Sequence, residues 1–348
     1  MKAAVMEALG RLVLKDVPDP EIDDHSALMR VESVSICGSD LRILQHGNPR
    51  VSPPAIIGHE AAGIVTKVGN RVTRVKEGDR IAVGADVPCG RCHWCRSGRG
   101  NNCDINYAVG YQIPGAFAQY MKLTPLLLDV GPVTHIPDTL DFDVAALAEP
   151  LACAINGLEL VNMSLGKTLV IIGLGPIGCM MIDLARVMGA ARIIAAQRSL
   201  RRMELAKFYD ADVYINTAQE DLVARSREET AGEGPDIVIT SCASIEAHEQ
   251  AVEMVAHRGY VNLFGGLPKD AGPMSVHSNT IHYKECFVTG SHGSVPRQHR
   301  LAVELLHKNL VRVQPLITHR FPMTQIHDAF KAIETRDGMK AVIHPHER

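Results

Sequence analysis

Between residues 149 and about 290, short unbroken apolar runs alternate with stretches of helical periodicity. TLVIIG precedes a helix opening at Pro176, RIIAA precedes SLRRMELAKFY, DIVITS precedes IEAHEQAVEMVAH, and YVNLFG closes the series. Such alternation predicts a parallel sheet with helices on both faces. In the helix after TLVIIG, Ile177, Met180, Met181, Leu184, Val187 and Met188 recur at helical spacing and predict one buried face. The first 145 or so residues differ in texture. ALMRVESVSI, AAGIVTKVG and RIAVGAD are separated by turn signals at Gly58, Gly69-Asn70 and Glu77-Gly78-Asp79, the pattern of a mostly β domain. The tail from about 291 holds an amphipathic helix, HRLAVELLHKNL, a second predicted over FPMTQIHDAFKAIE, and a final short strand, KAVIHP. The chain is therefore α/β, with predicted segments 1–148, 149–288 and 289–348.

Composition adds limits. At roughly 150 residues per domain, 348 residues make about two domains. With 46% hydrophobic and 22% charged residues, each can bury an ordinary core. The formal charge is −3 with no long basic run, which argues against nucleic acid or an anionic membrane as partner. No apolar run approaches the roughly 20 residues that span a bilayer. The opening KAAVMEALGRLVL lacks the layout of a signal peptide. A cytoplasmic protein is expected.

Nine cysteines sharpen the chemistry. Cys89, Cys92, Cys95 and Cys103 are clustered, which in a cytosolic chain of this size favours metal over disulfides. Cys153, Cys179, Cys242 and Cys286 read as small core residues. The cluster offers four thiolates, enough to complete a tetrahedral zinc and leave no open position, so a structural site is expected over about 86–106. Disulfides or an iron–sulfur cluster are the alternatives for the same ligands. A second constellation joins Cys37-Gly38-Ser39-Asp40 to Gly58-His59-Glu60. Cys37 and His59 suit zinc, and a carboxylate would make a third ligand. An incomplete protein shell of that kind leaves room for a substrate oxygen, where zinc acts as a Lewis acid.

Gly173-Leu174-Gly175-Pro176-Ile177-Gly178 follows a predicted strand and opens a helix, the context that makes a GxGxxG a dinucleotide site. Gly173 serves the tight turn, Gly175 the approach of a pyrophosphate, and Gly178 the packing of helix on strand. Unpaired N–H groups at the helix start would receive the phosphates. An NAD site usually places an acid about 20 residues further on. Here Gln197 stands there, followed by Arg198, with Arg201 and Arg202 beyond. An amide tolerates a 2′-phosphate and guanidinium groups bind it, so NADP(H) is expected in preference to NAD(H). The alternative is that these arginines form a solvated helix face and NAD is used.

CGSD, GHExxG, the four-cysteine lobe, Glu149-Pro150-Leu151 and GLGPIG, in this order, resemble the zinc-dependent medium-chain dehydrogenases over essentially the whole chain. The sorbitol (polyol) dehydrogenase branch is the most similar. The resemblance implies a GroES-like catalytic domain built from both chain ends, a Rossmann coenzyme domain between them, and a dimer or tetramer. It implies two zincs, with Cys37, His59 and Glu60 at the catalytic one and Glu149 as ligand or partner there. It makes Ser39 the start of a proton relay that His46 could finish, and Phe117 a residue lining the substrate pocket. The run Ala196-Gln197-Arg198-Ser199 with Arg202 is similar to that of NADP-using ketose reductases. One departure is that Gly290-Ser291-His292-Gly293-Ser294 offers Gly or Ser where mammalian-type sorbitol dehydrogenases carry Arg. The substrate is thus expected among polyols, sugar acids and cyclitols, as a class. A simple alcohol or a sugar phosphate is the alternative, as is a non-catalytic NADPH-binding protein.

Overall fold

Six parallel strands form one sheet of the protein, in the order Val213–Asn216, Arg192–Gln197, Thr168–Ile172, Ile237–Thr240, Tyr260–Leu263, Phe287–Gly290. In this computed structural model, which describes residues 1–268 and 270–347, the chain divides into two compact units. One comprises 154–292 with 310–312, and carries this sheet. The other comprises 1–153, 293–309 and 313–348. The first division falls at 153/154, within the helix Ala148–Leu160.

In the six-stranded unit, strand order reverses on either side of Thr168–Ile172, which creates the crevice where such sheets bind ligands. Val170, Ile194 and Val238 are buried in its core. The helix Pro176–Val187 buries Met180, Met181 and Leu184, but Val187, in its last turn, is 44% exposed. The segment 310–312 is fastened to this unit by a forked ion pair. Arg312 donates from Nε to Asp183 Oδ2 at 3.0 Å and from Nη2 to Oδ1 at 2.7 Å. Two parallel charge-assisted bonds of that kind fix orientation as well as attraction.

The other unit is built on a mixed sheet ordered Val133–His135, Arg80–Val83, Glu60–Val68, Ala27–Ser35, Lys340–His344, Ile317–Pro322, with Tyr120–Leu123 also pairing Ala27–Ser35. Its register matters for the site. Ser35 lies opposite Glu60 on one side and Val342 on the other, so the last strand of the chain lies one strand away from Glu60, across Ala27–Ser35. The helix expected over FPMTQIHDAFKAIE begins only at Ile326. Phe321 and Pro322 end the strand Ile317–Pro322, and Met323–Gln325 form a 3-10 turn. Pro322 lacks the amide hydrogen that a helix interior requires.

Candidate active site

Cys37, His59 and Glu60 converge, each offering a ligand atom within 4.8 Å of the others. Cys37 caps the helix Gly38–His46, and its amide donates to Asp40 Oδ2 at 2.9 Å. That bond holds the Asp40 carboxylate inward, where Oδ1 lies 3.2 Å from His59 Nδ1. A carboxylate behind an imidazole orients the ring and raises its basicity. Ser39, one residue into the helix, places Oγ 3.4 Å from His59 Nε2. Burial opposes a charged His59, but Asp40 and Cys37 outweigh it and hold its pKa well above the usual imidazole range.

Glu60 opens the strand Glu60–Val68 and is fully buried. Its Oε2 accepts from Lys340 Nζ, which also donates to the Ile36 carbonyl at 3.3 Å. Its Oε1 is buried without a hydrogen-bond partner among the described residues. Buried polar atoms are rarely left so. A thiol, an imidazole and a carboxylate with an uncommitted oxygen are the donor set of an open zinc site, so the residues fit the ion.

Glu149 is also buried, and its Oε1 accepts from the Cys153 thiol at 3.6 Å. Cys153, expected as a plain core residue, is therefore its neighbour. Burial, opposed by His59 and reinforced by Glu60 and Asp86, pushes the Glu149 pKa up to about 7. Tyr111 carries no signal in the sequence, yet its ring lies 5.9 Å from that of His59. Burial raises its phenol, against the pull of His59 and a hydrogen bond with Ser39. His46 is exposed in the last turn of its helix, two turns or about 10 Å from Ser39. Phe117 does not line an open pocket. It is fully buried, edge-on to Phe330 at 5.6 Å, with its ring filling the space beside Gly58. Its neighbours are core side chains, so its place is to pack the turn before His59.

The four-cysteine lobe is closed in the way a structural metal requires. Cys92 and Cys95 sulfurs are 3.5 Å apart, and the Cys89–Cys95 and Cys92–Cys103 separations are both 3.9 Å. Tetrahedral zinc with bonds of about 2.3 Å spaces its sulfurs by about 3.8 Å, so the thiols fit it. Amides of Arg91 and Cys92 lower Cys89 to about 6, whereas burial and the neighbouring thiols push Cys95 up to about 12. Four thiolates at such separations need a cation between them.

In the six-stranded unit, Gly173 has φ 102°, and a Cβ at Gly178 would sit 2.1 Å from the Gly173 carbonyl oxygen. Neither position admits a side chain. Gly175 is the N-cap of the helix Pro176–Val187, and Ile177 lies in its first turn. A Cβ at Gly175 would meet only Arg202 Nη1, at 3.6 Å. The sequence-distant Arg202 guanidinium thus stands beside the glycine turn. Gln197 ends the neighbouring strand, its Oε1 accepting from the Arg198 amide at 3.0 Å, and Arg198 is exposed.

Residues 23–129 match the alcohol dehydrogenase GroES-like domain family, and residues 176–308 match the zinc-binding dehydrogenase family. L-threonine 3-dehydrogenase of Bacillus licheniformis is 33% identical over 94% of each chain. Sorbitol dehydrogenase of Bacillus subtilis is 31% identical, covering 99% of this chain and 97% of its own. A solved structure from Sinorhizobium meliloti, described as a zinc-binding dehydrogenase bound to NADP, superposes with a TM-score of 0.92. It shares 30% identity, with 99% of each chain covered. The chain belongs to the zinc-dependent alcohol dehydrogenase family. It is an oxidoreductase with a GroES-like domain and a Rossmann domain. No helix among the described residues is long and apolar enough to cross a membrane.

Proposed function

We propose that this enzyme interconverts the secondary alcohol of a small polyol, sugar acid or cyclitol with its ketone, using NADP(H) in preference to NAD(H). The observation that carries the reading is the convergence of Cys37, His59 and Glu60, whose buried Oε1 is uncommitted. Cys37, His59 and Glu60 would hold the catalytic zinc, with Glu149 as the alternative carboxylate. Cys89, Cys92, Cys95 and Cys103 would hold a second, structural zinc. When bound, zinc supplies Lewis acidity to a substrate oxygen, and nicotinamide supplies the hydride acceptor.

The chain's own residues do the rest. Ser39 takes the hydroxyl proton, as its position against His59 allows. The exposed His46 lies about 10 Å further along the same helix, so it would serve as the outlet to solvent only through hydroxyls or water between the two. Asp40 fixes the His59 ring and Lys340 restrains Glu60. Gly173, Gly175, Pro176, Ile177 and Gly178 receive the dinucleotide phosphates, with Gln197, Arg198 and Arg202 at the adenosine ribose. Arg202 beside Gly175, with no acid at position 197, supports the NADP preference. The two curated relatives act, by their names, on a small hydroxyl-bearing amino acid and a polyol, which supports a small polar alcohol. A dimer or tetramer is proposed from the same resemblance. Its support is the sheet edge at Phe287–Gly290, where Phe287 and nearby Tyr283 are exposed. Light scattering on purified protein reads the assembly.

The test is oxidation of a polyol, sugar-acid and cyclitol panel with each cofactor. Turnover with a higher kcat/KM for NADP supports the proposal. Cofactor binding with no turnover of any alcohol would mark a non-catalytic NADPH-binding protein instead.

A further inference from the structure

A cavity of about 600 Å³ opens beside Tyr111, on the side of the ring that carries Arg50. Arg50, Lys15, Ser52, Tyr111 and Gln112 contribute its polar lining, and among the described residues no acidic one lines it. The Arg50 guanidinium stands 4.9 Å from the Tyr111 ring centroid, and the same ring neighbours His59 and Ser39. One side chain therefore separates this cation from the candidate catalytic centre.

Arg50 makes no ion pair among the described residues. Its Nη2 donates to the Asn106 carbonyl and, at 3.3 Å, to Gln112 Oε1. Nε is buried without a partner. Nη1 has no hydrogen bond among the described residues and is not closed off from solvent. Lys15 is only partly neutralised. Its Nζ lies 2.7 Å from Glu7, and the same carboxylate pairs with Arg11 at 3.1 Å. A half-buried guanidinium offset only by a carbonyl, an amide and an aromatic face is short of a counter-charge. Its free edge suits a planar or tetrahedral oxyanion.

We infer that this cavity receives an anionic end of the substrate, a phosphate or a carboxylate, while its secondary alcohol lies at Cys37 and His59. The inference rests on the dehydrogenase reading above and narrows its substrate to an acidic polyol. Arg50 is then a specificity residue and takes no part in the proton or hydride transfer.

The experiment compares kcat/KM for D-glucitol, D-glucitol 6-phosphate and D-gluconate, in the native enzyme and in Arg50→Gln and Arg50→Lys. At least one anionic substrate should exceed D-glucitol tenfold or more, and which one does so separates phosphate from carboxylate. Arg50→Gln should shrink that ratio at least tenfold, chiefly through KM, and Arg50→Lys should retain part of it. An active enzyme that prefers D-glucitol, or a ratio unmoved by Arg50→Gln, overturns the inference and leaves the dehydrogenase reading standing. Calorimetric binding of D-glucitol 6-phosphate and D-gluconate is measured alongside. If nothing in the wider polyol, sugar-acid and cyclitol panel is turned over either, the polyol reading fails. Binding weakened tenfold by Arg50→Gln would still uphold the anion site, and no binding of either anion would overturn it.

Discussion

Lys340 and Glu60, near opposite ends of the chain, form a buried ion pair, with the lysine ammonium against Glu60 Oε2 and the Ile36 carbonyl. Each charge is out of water, so removing one leaves the other uncompensated. Breaking such a pair costs about 3–5 kcal/mol. Lys340→Met should lower unfolding stability by that amount, measured by urea titration at neutral pH. A loss below about 1 kcal/mol would contradict a paired, desolvated Glu60.

His299 gives a pH dependence of definite sign. It is fully buried, its Nδ1 2.8 Å from Thr134 Oγ1, and burial lowers its pKa to about 3. The unfolded chain gains a proton near pH 6.5 that the folded one refuses, so stability falls as pH drops below that value. The slope is about 1.4 kcal/mol per pH unit, or about 2 kcal/mol at pH 5. His299→Gln should lose less stability between pH 7 and pH 5 than the native protein, by roughly that difference. Equal losses would show that His299 titrates freely in the fold.

The cysteine lobe should answer to metal removal as a folding element. Cys95→Ser leaves three thiols, and zinc content measured by mass spectrometry should fall by one per chain. The melting temperature should fall with it, and the remaining cysteines should become reactive to a thiol reagent. Unchanged zinc content would remove the lobe as a metal site.

Cofactor choice is testable at one atom group. Gln197→Asp places a carboxylate where a 2′-phosphate would lie, and like charges repel. The ratio of kcat/KM for NADP to that for NAD should drop at least tenfold. A ratio that does not change would place the 2′-phosphate elsewhere.

What the sequence made readable was local. The glycine turn and the four cysteines lie within a few residues of one another, so spacing alone carries their geometry. The Cys37, His59 and Glu60 set needed two segments, but each was marked by neighbouring glycines and motif. Lys340 was invisible, because its position against Glu60 depends on Ser35 pairing with strands from both chain ends. Tyr111 arrives on a loop whose path no periodicity encodes. Phe117 shows the opposite difficulty. An aromatic residue near a site can line a pocket or pack beneath it, and only the burial of its ring against Phe330 decides. Similarly, FPMTQ has helical periodicity, yet the strand pairing of Phe321 and Pro322 with Ile343 and His344 claims its start.

The proposed chemistry depends on an open metal site at Cys37, His59 and Glu60, separate from the closed lobe. Zinc content and turnover of Cys37→Ser, measured on one preparation of folded protein, test it most directly. Two zincs per chain are expected in the native enzyme and one in Cys37→Ser, with a melting profile close to native and a loss of turnover of at least a thousandfold, about 4 kcal/mol. Full zinc content with turnover near the native rate would contradict it.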